Sequence, residues 1–337
     1  MTKIRKTMVL AVSLMMLFAI FAGGGYINQT TTPAQASTVQ ATTESTGGWF
    51  FGDAHTHSFW SDGWGTVLNN VNHARNFREP TTGNPAPASG GMQWLVATDH
   101  DTFAQRQEVE RINNIDGFLV MTGIEMSVAD TVAGWQNHLL AFGVGEEVYE
   151  GYGVIDMYQS KFPSPQRAVD RVRELGGIVY LAHPMSNVSV NYRWNRNTQN
   201  FHGLEVWNSS ARWNSEPGMS GSWDDVCGVA TFAWWDELNR AGRRVYGMAT
   251  SDAHSIAAVG SAGIKMWMDE LNEENFLNGL RRGTFYGSNG PDLTFAVGDH
   301  MMGSNFHITA PTQVTITVGG AVGQRHLANN ASNTVTE

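Results

Sequence analysis

From residue 49 to residue 250 the chain alternates short apolar runs with polar or helix-patterned connections, and this alternation restricts the fold more than any other feature. The runs cover residues 49–54, 94–98, 118–124, 138–144, 178–182, 204–207 and 245–250. At four to seven residues they have strand length, and most are apolar at successive positions, as strands covered on both faces are. Two connections carry explicit helix signals. Ser164-Pro165 gives a cap followed by a proline suited to the first turn, Ala168, Val169, Val172 and Leu175 form one face, and Gly176 suits the end. Residues 272–283 repeat the design with Phe276, Leu277 and Leu280. Strands and helices in turn predict a mainly parallel α/β barrel instead of a sandwich.

Residues capable of chemistry gather where these runs end. Six of the eleven histidines, His55, His57, His100, His138, His183 and His254, stand at or just beyond one end of a run, and that end of an α/β barrel is where active sites form. His138 heads its run, so only an antiparallel strand would bring it to the same face. His55 and His57 are two residues apart in an extended segment and therefore point to one side. Ser61-Asp62-Gly63 reads as a turn. Thr98-Asp99-His100-Asp101 packs three titratable groups behind an apolar strand, and burying them without a counter-charge is costly, so a cation is the economical partner. Glu125 and Glu205 each close a Gly-x-Glu triplet, and His183 and Asp252-Ala253-His254 follow later runs. Any one of these residues alone has an ordinary reading as a hydrogen-bonded polar group. Independent structural histidines have no reason to collect at one end of successive strands.

The order HxH, SDG, TDHD, GxE, lone His, AHP, GxE and SDAH resembles the motif series of the PHP (polymerase and histidinol phosphatase) superfamily, here from Asp53 to His254. The resemblance implies a distorted seven-stranded (β/α) barrel with up to three divalent metal ions. It places one ion on His55, His57, Glu125 and Asp252, a second on Glu125, His138 and His183, and a third on Asp62, His100 and His254. Glu125 would bridge two of them, and Glu205 would stand outside the ligand set. Imidazole and carboxylate without thiolate suit zinc, manganese or iron(II). Cys227 is the only cysteine, which excludes both an intrachain disulfide and a cysteine-type zinc site.

Residues 1–36 read as an export signal: a basic start with Lys3, Arg5 and Lys6, an apolar stretch from 8 to 22, and the small-residue pattern Ala34-Gln35-Ala36, with cleavage expected after Ala36. The apolar stretch is shorter than the ~20 residues of a spanning helix, so no stable membrane insertion is expected after cleavage, and the location is extracytoplasmic or secreted. Residues 37–48 are a polar linker, 49–290 the metallohydrolase domain, and 291–337 a small β-rich appendage with strands at 293–297, 306–309 and 313–318. The mature chain would carry 18 basic and 31 acidic side chains, a formal charge of −13, which argues against nucleic acid as a partner.

The leading function is a secreted phosphoesterase that hydrolyses a small-molecule ester through a hydroxide bridging the metal ions, with Asp101 as the candidate acid or as a group orienting His100. A metallohydrolase of carboxylic or carbamate esters on the same fold, as in the carbaryl-hydrolase-like branch of the superfamily, is the alternative, with which the GD-H-H opening, the second GxE acid and the aromatic mouth are compatible. A non-catalytic metal-binding module is the third. Trp60, Trp64 and Trp135, and part of the set Trp194, Trp207, Trp213, Trp223, Trp234 and Trp235, are expected to line or cover the barrel mouth. Arg75, Arg106 and Arg193 are candidates to hold a phosphate.

Overall fold

The computed structural model describes residues 47–76, 91–112, 115–130, 135–156, 159–160, 162–185, 194–209, 226–288 and 292–319. The export signal and nearly all of the linker lie outside these residues, as do the end of the appendage, Arg193, Trp213 and Trp223; the side chain of Trp135 is also undescribed.

The first four strands are β1 (Gly48–Thr56), β2 (Trp94–Ala97), β3 (Leu119–Asp130) and β4 (Trp135–Phe142). The short pair β5 (Val154–Asp156) and β6 (Gln159–Ser160) forms a separate two-stranded ribbon. After it come β7 (Ile178–Leu181), β8 (Gly203–Asn208), β9 (Tyr246–Thr250), β10 (Gly263–Met268) and β11 (Phe285–Ser288). Nine of these make one sheet in the order β11-β10-β1-β2-β3-β4-β7-β8-β9. It curls until Gly287 of β11 meets Ala249 of β9, and Thr56 bridges to Ala253 beyond β9, so the sheet is a nearly closed barrel.

Two expectations are corrected here. The barrel sheet has nine strands where seven were expected, because β10 and β11 add an antiparallel pair beside β1. It is also mixed where a mainly parallel sheet was expected. Four of its pairings are parallel and four antiparallel, since β4 runs against both β3 and β7.

Alternation along the strands builds the core. Trp94 and Val96, Leu140 and Phe142, Ile178 and Tyr180, and Ile264 and Met266 share the inside of the barrel, where Phe276 and Leu280 also pack. The intervening residues face outward. Leu139, Ala141, Val179 and Leu181 meet Ala168, Val169 and Val172, while Leu95 and Ala97 meet Val67, Val71 and Ala74. Five helices cover that outer surface and the floor: α1 (Val67–Arg75), α2 (Arg106–Ile112), α3 (Pro165–Glu174), α4 (Val226–Arg240) and α5 (Glu273–Arg282). The caps read from the sequence act as such. Ser164 accepts from Arg167 N–H, Asn272 accepts from Asn275 N–H, and Gly283 ends α5 at φ +73°.

Beyond residue 291, β12 (Asp292–Val297), β13 (His300–Met301) and β14 (Val314–Gly319) form a separate antiparallel sheet. The strand expected at 306–309 is absent; Phe306 instead stacks on the His300 ring at 4.1 Å. Among the described residues no helix is long and apolar enough to cross a membrane.

Candidate metal centre

A break in strand pairing aims the first two histidines inward. β1 pairs with β2 at Gly52 and Asp53, then shifts register before Thr56, so three residues of β1 pass two of β2. The bulge turns His55 and His57 to the inside, whereas Asp53, before it, points away and accepts from the N–H groups of His55, Ser251 and Gly260. Burial pushes the Asp53 carboxyl up to about 6 despite these bonds. The loop after β1 closes tightly: a side chain at Gly63 would strike the His57 carbonyl at about 2.5 Å. Asp99 fastens that loop by accepting from Ser58 N–H and from the hydroxyls of Ser58 and Ser61, which leaves Asp62 facing His254 at 3.2 Å.

All nine expected ligand side chains meet at the carboxyl ends of the parallel strands, and β4, antiparallel, delivers His138 to the same level. Glu125 stands at the middle. Its Oε2 lies 3.0 Å from His55 Nε2, 3.1 Å from His57 Nε2 and 3.3 Å from His100 Nε2. Its Oε1 lies 3.0 Å from both His138 Nδ1 and His183 Nε2. Three groups have ligand atoms within 4.8 Å of one another: His55, His57, Glu125 and Asp252; His100, Glu125 and His138; and His57, Asp62, His100 and His254. The last two differ from the expected sets. In the second, His100 takes the place expected for His183, which meets Glu125 Oε1 at 3.0 Å and stands in none of the three groups, and the His57 ring stands between the first and third groups with Nδ1 3.6 Å from Asp62.

The first group fits a divalent cation on its own geometry. His55 Nε2 and His57 Nε2 are 3.1 Å apart, and each lies 3.0–3.3 Å from carboxylate oxygens of Glu125 and Asp252. Ligands about 2.0–2.2 Å from a common ion stand roughly 2.8–3.6 Å apart in octahedral or tetrahedral geometry. Lone-pair nitrogens and carboxylate oxygens meeting at one buried point repel unless positive charge stands among them. Without a cation, protons take that role. Although burial opposes it, Asp252 and Glu125 hold the His57 imidazole up at about 10, and Glu125, Asp252 and Glu205 raise His55 likewise. Burial and neighbouring imidazoles push His100 down, and the surrounding histidines keep the Glu125 carboxyl well below the usual range against its own burial.

Backbone strain concentrates here. Five described non-glycine residues have positive φ, and three of them are Asp101 (51°), His183 (26°) and Asp252 (49°). Each such conformation costs ~1–3 kcal/mol and persists where surrounding bonds enforce it. For Asp101 those bonds run from its N–H to the Glu125 carbonyl, and from Ser127 N–H and Tyr149 Oη to its Oδ1. Burial pushes the Asp101 carboxyl up to about 7, with the charge of Glu125 adding to the shift.

Several expectations about the mouth do not hold. Trp194 is buried, with its indole N–H donating to the His138 carbonyl, and Trp234 lies in the core; both support the wall instead of lining a cleft. Trp235 donates to Val245 O on the outer layer, whereas Trp64, 80% exposed, donates its backbone N–H to the His254 carbonyl beside the centre, and Trp60 donates to Glu108. Neither described arginine candidate is placed to hold a phosphate. Arg75 pairs with Asp116, and Arg106 packs over Phe103 and donates to Val144 O. Glu205 and Asn208 bond directly to ligand residues, and Thr250 bonds to Glu205; the motifs did not mark the three as acting together.

Residues 243–285 match a family model described as PHP_C, PHP-associated. Among curated proteins, none matches the chain. Solved structures with similar folds include a two-domain protein from Bacteroides vulgatus containing a predicted PHP-like metal-dependent phosphoesterase, at 15% identity over 76% of this chain and 69% of that one, TM-score 0.45. Others are the lesion-specific endonuclease EndoQ from Pyrococcus furiosus, 14% identical over 69% and 56%, TM-score 0.45, and an amidohydrolase from Chromobacterium violaceum, 16% identical over 60% and 87%, TM-score 0.36. The segment matched to the PHP-associated model contains Asp252 and His254 of the histidine and carboxylate centre.

Proposed function

We propose that this chain is an exported metal-dependent phosphoesterase acting on small organic phosphate esters. The observation that carries the reading is Glu125, one buried carboxylate within 3.3 Å of five imidazoles and common to two ligand groups. A carboxylate common to two ligand groups would hold two cations, whose charge suits an ester with more than one charged oxygen. Up to three divalent ions, of zinc, manganese or iron, are proposed: on His55, His57, Glu125 and Asp252; on Glu125, His138 and His183 with His100 adjacent; and on Asp62, His100 and His254. Such ions, when bound, supply Lewis acidity toward water and toward ester oxygens.

The chain's own residues do the rest. Asp53 and Asp99 fix the two loops that carry ligands, and the inward bulge of β1 fixes the imidazoles of His55 and His57. We assign Asp101 the proton for the leaving group. Ser127 and Tyr149 occupy its Oδ1, its buried Oδ2 has no hydrogen-bond partner, and a carboxyl pushed up to about 7 holds a proton near neutral pH. The leader-like first 36 residues and the acidic balance support export and a small-molecule substrate rather than nucleic acid.

A substrate panel tests the reading. With zinc or manganese supplied, 4-nitrophenyl phosphate or bis(4-nitrophenyl) phosphate is expected to turn over, and a chelator to stop it. Turnover of 1-naphthyl acetate alone would replace the phosphate reading with the carboxylic ester one, and turnover of nothing by metal-loaded protein would favour a binding module.

A further inference from the structure

Four hydrogen bonds at the centre converge on a side chain that belongs to none of the ligand groups. Glu205, fully buried in β8, sets Oε1 2.7 Å from His55 Nδ1 and accepts there from the Thr250 hydroxyl. Its Oε2 accepts from His183 N–H at 2.6 Å and from Asn208 Nδ2 at 3.0 Å. Asn208 Nδ2 stands 3.0 Å from Asp252 Oδ2 as well. One carboxylate thus reaches a ring, a backbone amide and, through one amide group, a carboxylate of three different ligand residues on three different strand ends.

We infer that Glu205 is the positioning residue of this metal centre, setting the ring of His55 and the backbone of His183 directly and the carboxylate of Asp252 through Asn208. The inference rests on the metal-centre reading above and deepens it. All the groups that meet Glu205 are donors: Thr250 O–H, His183 N–H, Asn208 N–H and the Nδ1–H of His55. Two carboxylate oxygens satisfy such a set. With its ring proton held on Nδ1, His55 must present the Nε2 lone pair to the point where His57, Glu125 and Asp252 converge. The Oε2 bond also holds His183 at φ +26°, the turn that brings its ring to Glu125.

A glutamine at 205 has the same shape and only one acceptor oxygen. Its NH2 cannot face the backbone N–H of His183, which has no alternative, so it turns toward Oε1's place and meets Thr250 and His55. The threonine hydroxyl rotates to accept. His55 accepts only by moving its proton to Nε2, and that N–H then points into the ligand cluster.

Zinc titration of the full chain against a chromophoric chelator, combined with imidazole 15N spectra, tests this. In wild-type protein the His55 proton is expected on Nδ1, protected from exchange; in E205Q that signal is lost and zinc affinity falls about 10- to 100-fold. N208A leaves the His55–Glu205 pair intact, so it should keep the Nδ1–H signal while losing about tenfold in affinity through Asp252. It serves also if E205Q does not fold. Unchanged zinc affinity and an unchanged His55 signal in E205Q would overturn the assignment, as would full affinity in N208A for the Asp252 arm. Failure of wild-type protein to take up zinc would instead refute the metal-centre reading. The metal-free spectra then decide the role of Glu205 by the exchange rate of the His55 Nδ1–H, slow in wild type, where Glu205 holds it, and fast in E205Q if the inference holds.

Discussion

Replacing Glu125 by Gln is the perturbation whose size the structure sets best. The carboxylate touches His55, His57 and His100 with Oε2, and His138 and His183 with Oε1, all at 3.0–3.3 Å and out of water. Glutamine keeps the shape, removes the charge, and turns an NH2 toward one of the two imidazole sets. Losing one charge-assisted contact costs about 1.5–3 kcal/mol. At 1.36 kcal/mol per factor of ten, that is roughly 10- to 150-fold in cation affinity for each group that shares Glu125. Both the first and second groups lose it, while the group of Asp62, His100 and His254 keeps all its atoms. Elemental analysis of protein purified without chelator should therefore show E125Q with fewer ions per chain than wild type, and turnover of 4-nitrophenyl phosphate should fall by at least ~100-fold. A metal-to-protein ratio and a turnover equal to wild type in E125Q would refute the idea that this carboxylate bridges two cations.

Three further outcomes are expected. Without metal, His57 is held up at about 10 against an unfolded value near 6.5, so the stability it contributes is complete below 6.5 and drains away as pH rises; metal-free protein should melt at a lower temperature at pH 8 than at pH 6.5, and metal-loaded protein should show less of this slope. If Asp101 gives a proton to the leaving group, D101N should slow phenyl phosphate by about 10²- to 10⁴-fold while sparing 4-nitrophenyl phosphate, whose leaving group needs no acid; equal losses on both substrates would dismiss that role. Gly203→Ala would place a methyl group about 2.1 Å from the Tyr180 ring and 2.5 Å from the Tyr246 carbonyl, between strands that cannot part, and chemical denaturation should register a loss of ~1–3 kcal/mol or more.

What the sequence discloses depends on how far apart the interacting residues are. The seven inner runs were legible because a strand covered on both faces needs apolar residues at successive positions, and residues 94–97 and 178–181 have little else. β10 hides because Lys265 interrupts it. That lysine, buried on the outward face of the strand, is tolerated because its ammonium meets Asp292 at the start of β12, a partner the local pattern does not reveal. α4 hides for the opposite reason: Phe232, Trp234, Trp235 and Leu238 leave too little polar surface for a helical stripe to stand out. Its tryptophans, read as a covering for the mouth, are needed by the barrel wall.

The same division runs through the centre itself. A metal ligand must be a histidine or a carboxylate, so the ligand residues announce themselves by type and by position at strand ends. The groups that orient them answer to no such restriction. Thr250, Asn208 and Ser58 are common surface residues, and Asp53 and Asp99 sit inside motifs whose histidines draw the attention. Glu205 shows the consequence most sharply. Its Gly-x-Glu triplet matches that of Glu125, and sequence spacing cannot tell which of the two faces the cations. β3 and β8 stand on opposite sides of β4 and β7, and the difference is which atoms each carboxylate meets: five imidazoles at 3.0–3.3 Å around Glu125, four hydrogen-bond donors around Glu205. A carboxylate surrounded by lone pairs calls for a cation, whereas one surrounded by N–H and O–H groups is already satisfied and can only hold its neighbours in place.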